Sequence, residues 1–157
     1  MTQENDDHVK ILFKFYSDVL DEWTVETMWA NIVNSDKGLY KLDSIPFYAP
    51  LVASDDIVFA EYDDTEQMLT YRKTVEHSGN STVQVVIMDK AVEINNIRDI
   101  FKDLDCISER VNDGYFSMEV LYDTFYKPIK QKLIELEEQE TIGYAETCIS
   151  NKHKNET

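Results

Sequence analysis

The sequence predicts an α+β protein in two parts: a small curved or barrel-like antiparallel sheet with one helix over residues 8–78, packed on a ferredoxin-like split motif over 79–150. Three observations carry this. Short runs of alternating apolar residues recur before position 78. After it, the periodicities run strand, helix, strand, strand, helix, strand. The 43% hydrophobic and 11% aromatic content is enough to give 157 residues a core.

Residues 1–7 read as a polar tail. Positions 8–15 alternate, with Val9, Ile11, Phe13 and Phe15 on one face of a half-buried strand, and Leu12 makes the other face partly apolar. Thr24 is placed to cap a helix in which Val25, Met28, Trp29, Ile32 and Val33 form one stripe, with Glu26 in its electropositive first turn. Lys37-Gly38 closes that region. Positions 39–52 read as an irregular, ordered crossing, because Pro46 pushes Ile45 toward extended geometry and Pro50 removes a donor. Segments 56–62 and 68–75 form a hairpin around 63–67, completing a three-stranded curved sheet.

In the second part, 81–89 reads as a strand, with Val83, Val85 and Ile87 on one side. A helix over 92–104 places Val92, Ile94, Ile97, Ile100, Phe101 and Leu104 at helical spacing. A strand at 106–111, a turn at Asp113-Gly114 and a strand at 115–122 follow. Phe125, Ile129, Leu133 and Leu136 stripe the next helix, with Pro128 in its first turn and Gly143 ending it. Positions 144–149 make a last strand, and 151–157 a second tail. The split motif puts its second and fourth strands on opposite edges, so Cys106 and Cys148 are expected far apart and reduced.

The formal charge is -16. Such a surface repels nucleic acid and anionic membrane and steers a basic protein toward it. No apolar run approaches the roughly 20 residues that cross a bilayer. The first residues lack the basic start and apolar stretch of a signal peptide, so the expected address is the cytoplasm. Two cysteines are too few for a disulfide framework or a zinc site.

The last long helix is charged backwards. Lys127, Lys130 and Lys132 sit toward its start, while Glu135, Glu137, Glu138 and Glu140 crowd the end where the helix dipole already disfavours negative charge. These four are candidate partner-binding residues. So are Asp55, Asp56, Asp63, Asp64 and Glu66 around the first hairpin, where no Lys or Arg interrupts the run. That hairpin lacks the glycine and ligand spacing of a calcium loop, so it reads as a protein-attracting or solvated turn rather than a metal site. Trp23 is a candidate anchor at the same kind of surface.

His77, Ser78 and Asn80, with Asp43 and Tyr48, are candidates for a polar pocket at the junction of the two halves. Adjacent His and Ser do not make a nucleophile and its base, and no phosphate cradle or metal pair is present. No catalytic residue, metal or cofactor is therefore assigned. His8 and His153 lie at the margins and are expected to be solvated.

The residues Trp29-Ala30, the segment from Tyr40 through Ala49, Asp56-Ile57-Val58-Phe59-Ala60 and Ser78-Gly79-Asn80-Ser81-Thr82-Val83 together resemble a bacterial domain family of unknown function, family 4265, over roughly positions 8–148. The resemblance brings no activity, cofactor or catalytic set. It implies that a basic residue is common at the position of Gln84.

The function expected is a small acidic cytoplasmic binding protein, an immunity-type inhibitor that masks a basic toxin by occlusion, rather than an enzyme. The alternatives are a small-ligand sensor or enzyme with a polar site between the halves, and a structural or regulatory subunit.

Overall fold

A computed structural model describes residues 7–157. The predicted N-terminal tail, apart from Asp7, lies outside the described residues. The chain divides into two compact units between Ser78 and Gly79.

The first unit is a sheet of five strands: β1 (His8–Ser17), β2 (Glu22–Asn34), β3 (Leu39–Leu42), β4 (Ile57–Asp63) and β5 (Met68–Glu76). Their order is β1-β2-β3-β4-β5, and β5 returns to β1 through a parallel contact of Leu12 with Thr70. The inward residues Ile11, Phe13, Met28, Ala30, Leu42 and Val58 are almost fully buried and form one core with Ala49 and Val52 of the long crossing. Each large side chain so buried contributes about 1.5–3 kcal/mol.

The expected helix after Thr24 is instead β2. Its register with β1 runs unbroken from His8↔Asn31 to Ser17↔Glu22. Val25, Met28, Trp29, Ile32 and Val33 fit a helical stripe, but Met28 and Ala30 face inward while Trp23, Val25, Thr27 and Trp29 face out. A run rich in Thr, Val and Ile pairs well with an adjacent apolar strand, and that tertiary partner decides the outcome. Positions 39–42, expected to be irregular, form β3 for a related reason: β2 continues far enough to template them. A 3-10 turn, Ser35–Lys37, links the two strands and ends on Gly38 with φ +71. A Cβ there would stand 2.8 Å from the Ala60 carbonyl oxygen, so the turn requires glycine.

The second unit contains β6 (Ser81–Ile87), α1 (Ile94–Lys102), β7 (Ile107–Asn112), β8 (Tyr115–Val120), α2 (Lys127–Glu138), β9 (Ile142–Cys148) and α3 (Asn151–Asn155). Its sheet is antiparallel in the order β7-β8-β6-β9. Val83, Val85 and Ile87 pack with Ile97 and Phe101 of α1 and Ile129, Leu133 and Leu136 of α2. Cys106 is buried beside β7 and Cys148 ends β9, the opposite edge, and neither forms a disulfide.

Three expectations fail here. Phe125 lies before α2 and is 57% exposed, because Pro128 starts the helix late and leaves the stripe to Ile129, Leu133 and Leu136. Gly143 belongs to β9; α2 ends at Glu138, and Glu140 takes a positive φ to close it. The C-terminal tail is largely α3, which Ser150 caps by accepting the His153 N–H.

Candidate functional site

The acidic end of α2 is solvent-exposed. Glu135 is paired with Lys132 one turn back at 3.1 Å, while Glu137, Glu138 and Glu140 form no ion pair among the described residues. At the other end, Lys130 binds Glu146 of β9 at 2.7 Å. Burial is the largest single influence on Lys130 and opposes its charge, but the hydrogen bond and charge of Glu146, together with Tyr144, outweigh it and raise the pKa. The helix thus engages Lys130 and Lys132 within the unit, while Lys127 at its start and the last carboxylates at its end face solvent.

The first hairpin is less free than its sequence suggests. Arg72 of β5 reaches across to Asp63 at 2.9 Å and Glu61 at 3.1 Å, and Lys14 of β1 lies 3.6 Å from Glu66. Asp63 also accepts the N–H groups of Thr65 and Glu66, so it closes its own turn. Arg72 holds the Asp63 carboxyl below its ordinary range, aided by those N–H groups. Asp64 and Asp55 are exposed. Asp56, grouped with them in sequence, is 1% exposed and cannot offer its charge to a partner. It accepts the Ala53 N–H at 3.0 Å and the Ser78 N–H at 2.8 Å, so it fastens the end of the first unit to the start of β4.

The polar run is divided by its neighbours. His77 is exposed, with Nδ1 3.5 Å from Asp56, and the Ser78 hydroxyl donates to the Ser54 carbonyl at 2.8 Å. Asn80 belongs to the second unit, where its side-chain oxygen accepts the Tyr122 N–H at 2.8 Å. Asp43 is engaged with His8 at 3.1 Å.

Tyr48 is held through its backbone by a residue that the helix assignment concealed. Glu26 accepts three N–H groups, from Phe47 at 2.6 Å and from Tyr48 and Ala49 at 2.9 Å each, and so shapes the crossing. Burial, with the Glu26 charge, raises the Tyr48 phenol. The sequence offered one general signal: an irregular crossing bounded by prolines carries backbone N–H groups that must find acceptors outside a strand ladder.

His153, expected in solvent, is wholly buried. Its Nε2 lies 3.0 and 3.1 Å from the Leu121 and Thr124 carbonyls, so Nε2 carries the proton. Nδ1 then accepts the Ser81 hydroxyl at 2.6 Å, and Ser81 Oγ accepts the Ser150 N–H at 2.9 Å. Glu156 adds a bond to the Tyr126 N–H at 2.8 Å and pairs with Lys152 at 2.5 Å. These contacts fix α3 to its unit.

Trp23 is in the open on β2, 70% exposed, with its ring edge-on to Tyr16 at 6.0 Å. The hairpin joining β1 to β2 also exposes Val19 and Leu20, which no periodicity in the sequence marks.

These features define an α+β protein with an antiparallel N-terminal sheet, a C-terminal sheet covered by helices, and exposed carboxylates and aromatic side chains as its salient surface chemistry. The chain belongs to the family described as Domain of unknown function (DUF4265), whose model matches residues 26–144. A solved structure titled "Novel crystal structure of a hypothetical protein from Neisseria gonorrhoeae" is similar in fold, with a TM-score of 0.77 and 24% identity over 90% of this chain and 94% of that one. No curated protein matches the chain. Among the described residues, no helix is long and apolar enough to cross a membrane.

Proposed function

We propose that this is a small acidic cytoplasmic binding protein whose partner is a basic protein, and that its finer form is an immunity-type inhibitor masking a basic toxin by occlusion. In architecture we read the first sheet as a small barrel and the second unit as a ferredoxin-like split motif. One observation carries the functional reading. Glu137, Glu138 and Glu140 stand exposed and unpaired at the helix end where each costs stability. A partner's Lys and Arg would offset that cost, while exposed aromatics exclude water from the contact.

Affinity capture from the native host at low ionic strength tests the reading. The chain is expected to recover one basic protein, and a Glu137→Gln, Glu138→Gln, Glu140→Gln variant to lose it. Recovery of no basic protein overturns the proposal. The family description names no activity, which suits a structural or regulatory subunit as well. A captured partner that is not toxic when expressed alone selects that reading. The sensor or enzyme reading draws less support, since Asp56 and Ser78 are already engaged in fastening backbone.

A further inference from the structure

Between positions 16 and 25, Tyr16, Val19, Leu20, Trp23 and Val25 all stand exposed, Trp23 at 70% and Val25 at 56%. Exposed apolar side chains gathered on one hairpin, with Tyr16 and Trp23 in edge contact, mark an interaction site more often than a solvated face. The same stretch carries Asp18, Asp21 and Glu22, all exposed and none ion-paired among the described residues. Asp21 accepts the Tyr16 hydroxyl, which sets the ring beside Trp23. Lys14, the cation across from Val25, is already committed to Glu66.

The backbone adds a second feature. β3 covers the far side of β2 only from Ala30 to Asn34. Trp29 shows which groups face that side: its N–H donates to Ser44 Oγ at 3.2 Å, and its carbonyl accepts the Asp43 N–H at 2.9 Å. Hydrogen-bonding direction alternates along a strand, so the N–H and C=O of Thr27, Val25 and Trp23 point the same way, past the end of β3. Among the described residues nothing bonds them. An open edge flanked by exposed apolar side chains is a template for strand addition.

We propose that the edge of β2 from 23 to 27 docks an extended segment of a basic protein, pairing main chain with Val25, packing apolar side chains against Trp23 and Tyr16, and setting Lys or Arg against Asp18, Asp21 and Glu22. This rests on the reading of the chain as a binder of a basic protein and adds where and how the partner is held. A second copy is the poorer occupant, because it brings the same three carboxylates and the same charge of -16.

The probe is a blocked octapeptide of alternating valine and lysine, titrated at low ionic strength in a Trp29→Phe background so that Trp23 reports alone. Saturable binding is expected, with a blue shift of Trp23 emission and slowed exchange of the Val25 amide. Val25→Pro removes an outward N–H without touching the bonds to β1, and Trp23→Ala removes the anchor; each should weaken binding about tenfold. A peptide N-methylated on alternate residues should not bind. Absence of binding, binding to either variant as tight as to the parent, or a concentration-dependent dimer that Val25→Pro abolishes would each overturn the proposal. Capture of a basic partner that survives Val25→Pro and Trp23→Ala but is lost with the α2 glutamines also overturns this site, and leaves the broader function standing.

Discussion

Glu26 carries more of the first unit than its neighbours' size suggests, because one carboxylate serves three N–H groups of the crossing. Glu26→Ala strands all three and is expected to cost about 3 kcal/mol, whereas Glu26→Gln keeps an oxygen for Tyr48 and Ala49 and should cost about 1–2 kcal/mol. Urea midpoints of the two variants check the order; equal losses would show that the charge, not the count of acceptors, matters. His153 makes the corresponding point in the second unit. Burial lowers its pKa below the ordinary 6.5, with the Lys152 charge acting the same way and Glu156 opposing. The fold therefore binds the neutral ring. Its contribution is complete above the unfolded value and is lost as pH falls through 6.5 and then through the lower folded value. Amide exchange in α3, corrected for its intrinsic pH dependence, should accelerate as pH falls from neutral through 6.5 and below, and His153→Gln should flatten that response. Gly79 is a third constraint: at φ +93, a Cβ would stand 2.5 Å from Tyr122 Cδ2, so Gly79→Ala forces that ring to move.

At the scale of elements, α2 sets stability against exposure of charge. Glu137→Lys and Glu138→Lys each place a cation at the negative end of the helix, and each should stabilise by about 0.3–1 kcal/mol at low salt. Calorimetric midpoints check this. A gain in stability together with loss of the captured partner is the pattern a functional surface gives. The α2 feature was legible in the sequence because charge order along a helix needs no tertiary knowledge. The β1–β2 hairpin was not: Val25, Met28, Trp29, Ile32 and Val33 satisfy both periods, and only the unbroken register with β1 resolves them. That single misassignment also hid Glu26, since a carboxylate in a helix's first turn already has an explanation, and it hid the open edge beside Trp23. Likewise Asp56 could not be told from Asp55 and Asp64 by composition. Its burial follows from the strand parity of β4 and from the donors of Ala53 and Ser78 that close around it.

For the whole molecule, the second unit's element order was readable because its strands and helices are long, bounded and periodic, while α3 was missed because five residues are too few to show a period. The excess of sixteen negative charges has a consequence that no single contact reveals. Exposed pairs such as Arg72 with Asp63, Lys132 with Glu135 and Arg110 with Asp113 contribute little each, because water screens them and salt weakens them further. Against these stands the mutual repulsion of unpaired carboxylates over the whole surface, which salt relieves once the screening length falls to about 10 Å near 0.1 M. Repulsion has more members than attraction, with 31 acidic against 15 basic side chains, so screening should stabilise on balance. The thermal midpoint is expected to rise by a few degrees between very low salt and about 0.1–0.2 M sodium chloride, each kcal/mol being worth roughly 2–4 °C at this size. Choline chloride should match sodium chloride, since the effect is screening and not ion binding. A midpoint that falls with salt would mean that the paired residues, and not the unpaired ones, dominate the electrostatics of the fold.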